Sequence, residues 1–124
     1  MAGKLFLIHW KAAEAEELAK PLRAVGWQVA TEAEDGARAG KAIKDTQPDV
    51  VVIYLTRLPS HGRETADGLR SLKATRVIPI VFVGGQGDAL AKTKAKVPDA
   101  TYVTQEELPS VLQKYCVESN PSSF

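Results

Sequence analysis

Five short apolar segments alternate along this chain with five amphipathic ones. The apolar segments span about residues 4–10, 27–31, 50–55, 78–83 and 100–103. The third of them, Val50 to Leu55, is rich in β-branched residues and shows no polar alternation. Such runs are typical of strands that are covered on both faces of a sheet. We therefore predict five strands, with the third at the centre.

The segments between the strands carry apolar residues at helical spacing. The stripe of the first helix consists of Ala15, Leu18, Ala19 and Leu22. Pro21 is expected to bend or shorten this helix, because proline lacks a backbone donor. Further helices are predicted from the Asp35-Gly36 turn, in the segment after Gly62 that bears Ala66, Leu69 and Leu72, and from about residue 88 to 96.

The last two predicted helices differ in their apolar anchors. The helix over 88–96 has only Leu90, Ala91 and Val97, so we expect it to be the least firmly docked. Thr104 is a plausible N-cap for the final helix. The apolar positions of that helix, at i, i+3, i+4 and i+7, are Leu108, Val111, Leu112 and Tyr115.

Strands that alternate with helices through short loops predict βαβ units with right-handed crossovers. The result is an α/β domain in three layers, of flavodoxin-like type, with one parallel sheet between two layers of helices. We assign residues 1–116 to a single domain. Residues 117–124 show no periodicity and are expected to form a flexible C-terminal tail.

Composition narrows the class of protein further. The chain has 124 residues, 44% of them hydrophobic, and one cysteine. Cys116 can form no internal disulfide, and no Cys/His spacing resembles a zinc site. No apolar run approaches the roughly 18 residues that a membrane helix needs. We therefore expect a cytoplasmic protein without a membrane segment, a bound metal or a cofactor.

Charge is unevenly distributed, although the net charge is only +1. Residues 57–96 hold eight Lys and Arg against three Asp and Glu. Such a basic segment favours an acidic partner or a phosphate. Nucleic-acid binding is disfavoured, because the isoelectric point is only about 7.8 and no helix-turn-helix signature is present.

Several phrases of the chain, in order and at matching spacing, resemble the receiver domain of bacterial response regulators. These phrases are LRAVGW at 22–27, EAEDG at 32–36, PDVVVI at 48–53, IPIVFV at 78–83 and PDATY at 98–102. The resemblance covers about residues 4–115. It implies the sheet order 2-1-3-4-5, with a ligand-binding switch point between the first and third strands.

The resemblance also implies a phosphorylation site whose residues are replaced here. The acid pair that would hold Mg²⁺ falls at His9 and Trp10. The phosphoryl-accepting aspartate falls at Tyr54 when counted from Pro48, and near Leu55 when counted back from the next proline. The small hydroxyl residue and the lysine of the family fall at Gly84 and Gln105. Only the aromatic residue of the last strand, Tyr102, is kept, so the chain resembles a degenerate receiver, or pseudo-receiver.

What replaces the lost chemistry is left open by the sequence. Tyr54 and Trp10 are interpreted as rings that cap the core; a stacking site for an aromatic ligand is the alternative. A small anion is the other candidate ligand, because guanidinium groups and free backbone donors suit phosphate. The candidate ligand-binding residues are Tyr54, Arg57, Ser60, His61, Arg63, Gly84 and Gly85. No catalytic residue is assigned, since Ser60-His61 lacks a third group to orient a base.

Two functional hypotheses follow. The leading one is a regulatory or protein-interaction module that needs no phosphorylation and is not an enzyme. Receiver domains commonly meet partners on the face of their last two helices and last strand. On this chain the candidate partner residues there are Leu90, Lys94, Tyr102, Val111 and Lys114. The alternative is a sensor that binds a small anionic ligand through the loop containing Arg57, His61 and Arg63.

Overall fold

The computed structural model describes residues 3–116, in which five strands alternate with five helices. The strands are β1 (Gly3–Ile8), β2 (Trp27–Glu32), β3 (Val50–Tyr54), β4 (Ile80–Val83) and β5 (Thr101–Val103). The helices are α1 (Ala12–Ala24), α2 (Gly36–Thr46), α3 (Pro59–Ser71), α4 (Gly87–Lys96) and α5 (Leu108–Leu112), the last followed by a 3-10 turn at Gln113–Tyr115. The predicted tail, 117–124, lies outside the described residues. Within 3–116, no helix combines the length and apolar character that a membrane crossing requires.

The strands form one parallel sheet of order β2-β1-β3-β4-β5, which confirms the predicted fold class and strand order. Ile8 at the end of β1 is paired with Ile53 of β3. The chain leaves these two neighbouring strands toward opposite halves of the sheet, to β2 from one and to β4 from the other. The carboxyl ends of β1 and β3 are therefore the switch point where sheets of this type bind ligands.

Side chains of β3 alternate between two buried clusters, one on each face of the sheet. Val51 and Ile53 pack in the cluster beneath α2, α3 and α4. Val50, Val52 and Tyr54 pack in the cluster beneath α1 and α5. All five residues of the strand are buried. Coverage on both faces explains why the sequence of this strand shows no polar alternation.

Three predicted boundaries were wrong. The first strand ends at Ile8 and not at residue 10, so His9 and Trp10 lie in the connection to α1. The fourth strand begins at Ile80, after Pro79, which cannot donate to a sheet ladder. The third helix begins at Pro59 and not after Gly62. Proline suits the first turn of a helix, because its missing N–H would have no partner there.

Helix interiors also differ from the prediction in detail. Pro21 does not end the first helix, which continues to Ala24. Ala91 is exposed, and the polar Thr93 is the buried residue of α4, where its hydroxyl donates to the Ala89 carbonyl at 2.8 Å. Leu72 lies just beyond the end of α3 and is 51% exposed.

The predicted apolar positions of the final helix are confirmed: Leu108 and Leu112 are buried, and Val111 and Tyr115 are half-buried. Thr104 lies one turn before the helix and is not its N-cap, which is Glu107. The two residues nevertheless form a reciprocal pair. The Glu107 N–H donates to the Thr104 hydroxyl at 3.2 Å, and the Thr104 N–H donates to the Glu107 carboxylate at 2.9 Å.

Candidate functional site

A cavity of about 390 Å³ opens at the switch point, beside the carboxyl ends of β1, β3 and β4. Its walls come from these strand ends, from the first two turns of α1 and from the loop after β5. The lining residues are His9, Glu14, Glu17, Leu18, Tyr54, Thr56, Val83, Gly84 and Gln105. We call it the Tyr54 cavity. It gathers four of the positions at which the resemblance places phosphorylation chemistry: His9, Tyr54, Gly84 and Gln105.

Tyr54 is the last residue of β3 and is 4% exposed. Its hydroxyl donates to the Gln105 side-chain oxygen at 2.7 Å, and its ring meets the His9 ring edge-on, with 5.3 Å between centroids. Burial raises the pKa of Tyr54 to about 12, so the phenol is neutral at physiological pH. Leu55 packs on the opposite face of the sheet, which leaves Tyr54 as the residue at the site.

Glu14, in the first turn of α1, links the two connections that flank the cavity. Its carboxylate accepts hydrogen bonds from Arg57 Nε at 3.0 Å and from Arg57 Nη2 at 2.8 Å. His9 Nε2 lies 2.7 Å from the same carboxylate. The bonds from Arg57 and His9 hold the pKa of Glu14 at about 2. The ionised carboxylate therefore ties the loop after β3 to α1 and neutralises the Arg57 charge.

His9 is 3% exposed and uses only one of its ring nitrogens within the described residues. Because an ionised carboxylate can only accept, the His9 nitrogen facing Glu14, Nε2, carries a proton. The other nitrogen, Nδ1, is buried and has no hydrogen-bond partner in residues 3–116. The imidazole thus forms a rigid wall of the cavity, held by Glu14 on one side and by the Tyr54 ring on the other.

The three predicted anion-binding side chains turn toward different parts of the protein. Arg57 is paired with Glu14 of α1, as described above. Arg63 Nη1 lies 3.5 Å from the Thr93 hydroxyl of α4. The His61 ring meets the Trp10 indole edge-on at 5.6 Å. Ser60 is exposed in the first turn of α3.

Gly84 and Gly85 are explained by backbone geometry. Their φ angles are +80° and +87°, which favour glycine. A Cβ at Gly84 would lie 2.7 Å from Thr56 Cγ2, and one at Gly85 would lie 3.0 Å from Leu55 Cδ1. The Gly84 N–H already donates to the Val103 carbonyl at 3.1 Å. At Gly84 the predicted backbone donor is therefore already engaged.

Trp10 and His61 lie away from the Tyr54 cavity, on the face covered by α2 and α3. They line a groove of about 780 Å³ between these two helices. Trp10 packs in the cluster beneath α2, α3 and α4, whereas Tyr54 packs in the other cluster. The predicted edge residues are thus divided between the two sides of the sheet.

The side chains at the site do not fit the Mg²⁺ ion that the resemblance implies. Magnesium prefers several oxygen ligands in octahedral geometry. Glu14 is the acid nearest His9, and both its oxygens are taken by Arg57 and His9. Within residues 3–116, no group of three or more His, Cys, Asp and Glu side chains is placed to hold a metal ion.

Solved structures of bacterial signalling proteins share this arrangement of strands and helices. The chemotaxis protein CheY4 of Vibrio cholerae superposes with a TM-score of 0.76 at 17% identity, over 93% of this chain and 99% of that one. A CheY-like response regulator receiver domain from Methylobacillus flagellatus gives 0.75 at 21% identity, over 93% and 99%. The chain has the fold of a response-regulator receiver domain.

A third receiver-fold structure holds the ion that this site does not fit. The receiver domain of a sensor histidine kinase from Pseudomonas aeruginosa has a TM-score of 0.72 at 20% identity, over 93% of this chain and 98% of that one, and it carries magnesium in its active-site cleft. At such identities the likeness establishes the fold alone. No protein-family profile and no curated protein matches the chain.

The sequence analysis did not single out Glu14 as a site residue. A signal was available, because the first turn of a helix that follows a parallel strand lies at the carboxyl edge of the sheet. Leu18 and Val83 were assigned to the core, and both also line the Tyr54 cavity. Whether Leu18 and Val83 line a cavity as well as the core depends on the distance between α1 and β4. No local sequence pattern predicts that distance.

The candidate partner residues lie on both sides of the edge strand β5; we call them the β5 face. Tyr102 stacks on Phe82 at 5.2 Å, and its hydroxyl donates to the Val97 carbonyl at 2.7 Å and lies 3.0 Å from that of Thr93. Lys94 Nζ lies 5.5 Å from the centre of the Tyr102 ring. Leu90 and Val111 are half-buried, while Lys94 and Lys114 are exposed.

Proposed function

We propose that this chain is a regulatory protein-interaction module that uses the receiver fold without being phosphorylated. The observation that supports the proposal is the side chain at the end of β3. A phosphoryl-accepting aspartate would be needed there, and the residue is Tyr54, buried and bonded to Gln105 at 2.7 Å. An acyl phosphate requires a carboxylate, which a phenol cannot supply.

The charges around Tyr54 support the same proposal. A phosphorylation switch needs a site whose charge changes when a metal ion binds and a phosphoryl group is attached. Here Glu14 is paired with Arg57, and Tyr54 stays neutral because burial raises its pKa to about 12. The network links α1, the loop after β3 and the loop after β5. It therefore favours one fixed arrangement of these loops.

The contacts of Ser60 and His61 favour a role outside catalysis. A serine nucleophile needs a base within hydrogen-bond reach and a third group that orients the base. The His61 ring packs against Trp10, and within residues 3–116 no hydrogen bond joins it to Ser60. We therefore assign the chain no catalytic activity.

The β5 face is the surface that we propose for the partner. Lys94 and Lys114 are exposed there, while Tyr102 is held inward by its hydroxyl. Half-buried Leu90 and Val111 add apolar area. Exposed cations beside half-buried apolar residues suit a protein partner with an acidic rim.

The first experiment tests the loss of phosphorylation. The chain is incubated with Mg²⁺ and acetyl phosphate, and its intact mass is measured alongside that of a receiver domain that is known to accept phosphate from this donor. We expect no mass gain for this chain. A gain of one phosphate that hydroxylamine removes would overturn the proposal.

The second experiment tests the partner face. The tagged chain is used to capture proteins from the cells that express it, and the capture is repeated with the double variant Lys94→Glu/Lys114→Glu. The control variant, Lys44→Glu/Lys73→Glu, reverses two exposed lysines outside the β5 face, one in α2 and one after α3. We expect the variant of the β5 face to lose the partner and the control to retain it. Loss in both variants, or in neither, would contradict the assignment of this face.

A sensor for a small anion is the second candidate, and one observation favours it. Arg63 makes one described contact, with the neutral Thr93 hydroxyl at 3.5 Å, and it forms no ion pair with a described carboxylate. Its charge is therefore available near the start of α3. Arg57, by contrast, is paired with Glu14, which removes one of the two guanidinium groups from this hypothesis.

Thermal-shift screening with phosphate, nucleotides and acidic metabolites tests the sensor. A ligand at 100 times its Kd stabilises the fold by about 2.7 kcal/mol. A shift that disappears in Arg63→Gln and persists in Lys73→Gln would support anion sensing. A flat screen would exclude it.

A further inference from the structure

We propose that the Tyr54 cavity binds a small, neutral aromatic molecule. This inference goes beyond the proposed function, because an interaction module needs no small ligand. The cavity volume of about 390 Å³ lies within the range of about 300–1,000 Å³ that is usual for ligand pockets. Its place at the switch point of the sheet is where α/β domains bind ligands.

The walls of the cavity are mainly apolar. Leu18 of α1 and Val83 of β4 contribute aliphatic surface. Tyr54 and His9 contribute two rings that are fixed edge-on to each other at 5.3 Å. Aromatic pairs favour edge-to-face and offset arrangements, so a third ring entering the cavity would find two preorganised partners.

The two acidic residues in the lining are compensated within the chain. Glu14 is held by two hydrogen bonds from Arg57, and Glu17 lies 2.7 Å from Lys20 Nζ. Neither carboxylate is left without a cation, and no Lys or Arg among residues 3–116 lines the cavity. A charged ligand would lose its hydration without gaining a counter-charge, and a neutral ligand would lose little.

One polar group of the cavity, the Gln105 side chain, can orient a ligand by a hydrogen bond. The Gln105 side-chain oxygen accepts the hydrogen bond from Tyr54, which leaves the Gln105 amide Nε2 as the donor of that side chain. Thr56 adds a hydroxyl at the exposed side of the lining. The preferred ligand therefore combines a ring with one hydroxyl or carbonyl oxygen.

The test uses three probes that share one ring and differ in charge. They are p-cresol, which is neutral, 4-methylbenzoate, an anion, and 4-methylbenzylamine, a cation. Each is titrated into the ¹⁵N-labelled full chain, and amide shifts are followed by NMR. We expect p-cresol to give saturable shifts centred on Thr56, Gly84 and Gln105. The two charged probes should bind at least about tenfold more weakly, because the cavity offers no free counter-charge.

Two variants check that the shifts arise in this cavity. Leu18→Trp places a larger side chain in the lining and should weaken p-cresol binding by about tenfold or more. Leu72→Trp makes the same change at an exposed leucine outside the cavity and should leave binding unchanged. Site mapping in the unaltered chain supports or refutes the proposal even if Leu18→Trp does not fold.

Three results would overturn the inference: no saturable shift with p-cresol, shifts centred outside the cavity, or stronger binding of either charged probe. Preference for 4-methylbenzoate with shifts centred on Arg63 would instead support the anion sensor. None of these results bears on phosphorylation, which the mass measurement tests separately. Failure of the ligand proposal and failure of the proposed function are therefore distinguishable.

Discussion

The Tyr54 cavity and the β5 face each contain a buried or half-buried tyrosine, yet the two regions are built differently. The Tyr54 hydroxyl binds a side chain, Gln105, and its neighbours Glu14 and Arg57 are engaged with each other. The Tyr102 hydroxyl contacts the main-chain carbonyls of Thr93 in α4 and of Val97 just after it, and the exposed Lys94 lies over its ring. Polar groups at the first region are directed at the protein itself, whereas the second leaves its lysines, Lys94 and Lys114, exposed.

This contrast predicts different effects of substitution in the two regions, which experiments can test. Substitutions at the cavity should change the stability of the fold, because each side chain there supports others. Substitutions at the exposed lysines of the β5 face should change binding and leave stability nearly intact.

The largest expected effect is at Tyr54. Tyr54→Ala removes a buried ring and should lower the free energy of unfolding by ~3–5 kcal/mol. Tyr54→Phe keeps the ring and loses only the bond to Gln105, so its cost should be ~1 kcal/mol. Urea unfolding of both variants measures the difference. Equal effects for the two variants would mean that the ring does not fill the site.

Glu14→Gln tests how much the ion pair between Glu14 and Arg57 contributes to stability at different pH values. The folded pKa of Glu14 is about 2, below its ordinary value of 4.5, so the pair contributes stability that is fully present above pH 4.5. That contribution is lost as pH falls from 4.5 toward about 2. The variant should be less stable than the natural chain at neutral pH, and the difference should shrink across this window.

Glu14→Gln is compared with Glu106→Gln, an exposed glutamate outside the Tyr54 cavity, by thermal unfolding between pH 2 and 7. The Glu106 variant serves as the control for the loss of one negative charge. A stability difference for Glu14→Gln that stays constant over this range would show that the carboxylate is not stabilised by Arg57 and His9.

The smallest effect on stability is expected at the β5 face. Lys94→Glu removes a cation from the Tyr102 ring, and Lys114→Glu reverses an exposed charge. Each should change the free energy of unfolding by less than ~1 kcal/mol. Denaturant midpoints provide the measurement. A larger loss at Lys94 would mean that this lysine holds the fold together and is not kept for a partner.

The fold was largely predictable from the sequence because its signals are local. The run from Val50 to Tyr54 marks a strand with both faces covered, and the stripe through Ala15, Ala19 and Leu22 marks a helix face. Alternation of such elements leaves few topologies. The predicted boundaries were wrong next to two prolines, because the effect of a proline depends on its position in an element. Pro59 is the first residue of α3, and β4 begins only after Pro79.

The site was predictable in place but not in its contacts. Tyr54 and Gly84 were expected at the carboxyl edge, and they line the cavity there. Pairing between Glu14 and Arg57, 43 residues apart, depends on the approach of α1 to the loop after β3. Rotamers and loop paths decide such contacts, and no spacing along the chain records them.

Titration of the chain with Mg²⁺, followed at the backbone amides of His9, Tyr54 and Gln105, tests the central claim most directly. If the proposed function is correct, the Tyr54 and His9 rings and the Glu14–Arg57 ion pair leave no site for a metal, so we predict no saturable shift at these amides in millimolar Mg²⁺. A matched titration of a receiver domain that binds magnesium provides the positive control. Saturable shifts centred on His9 and Tyr54 would contradict the account.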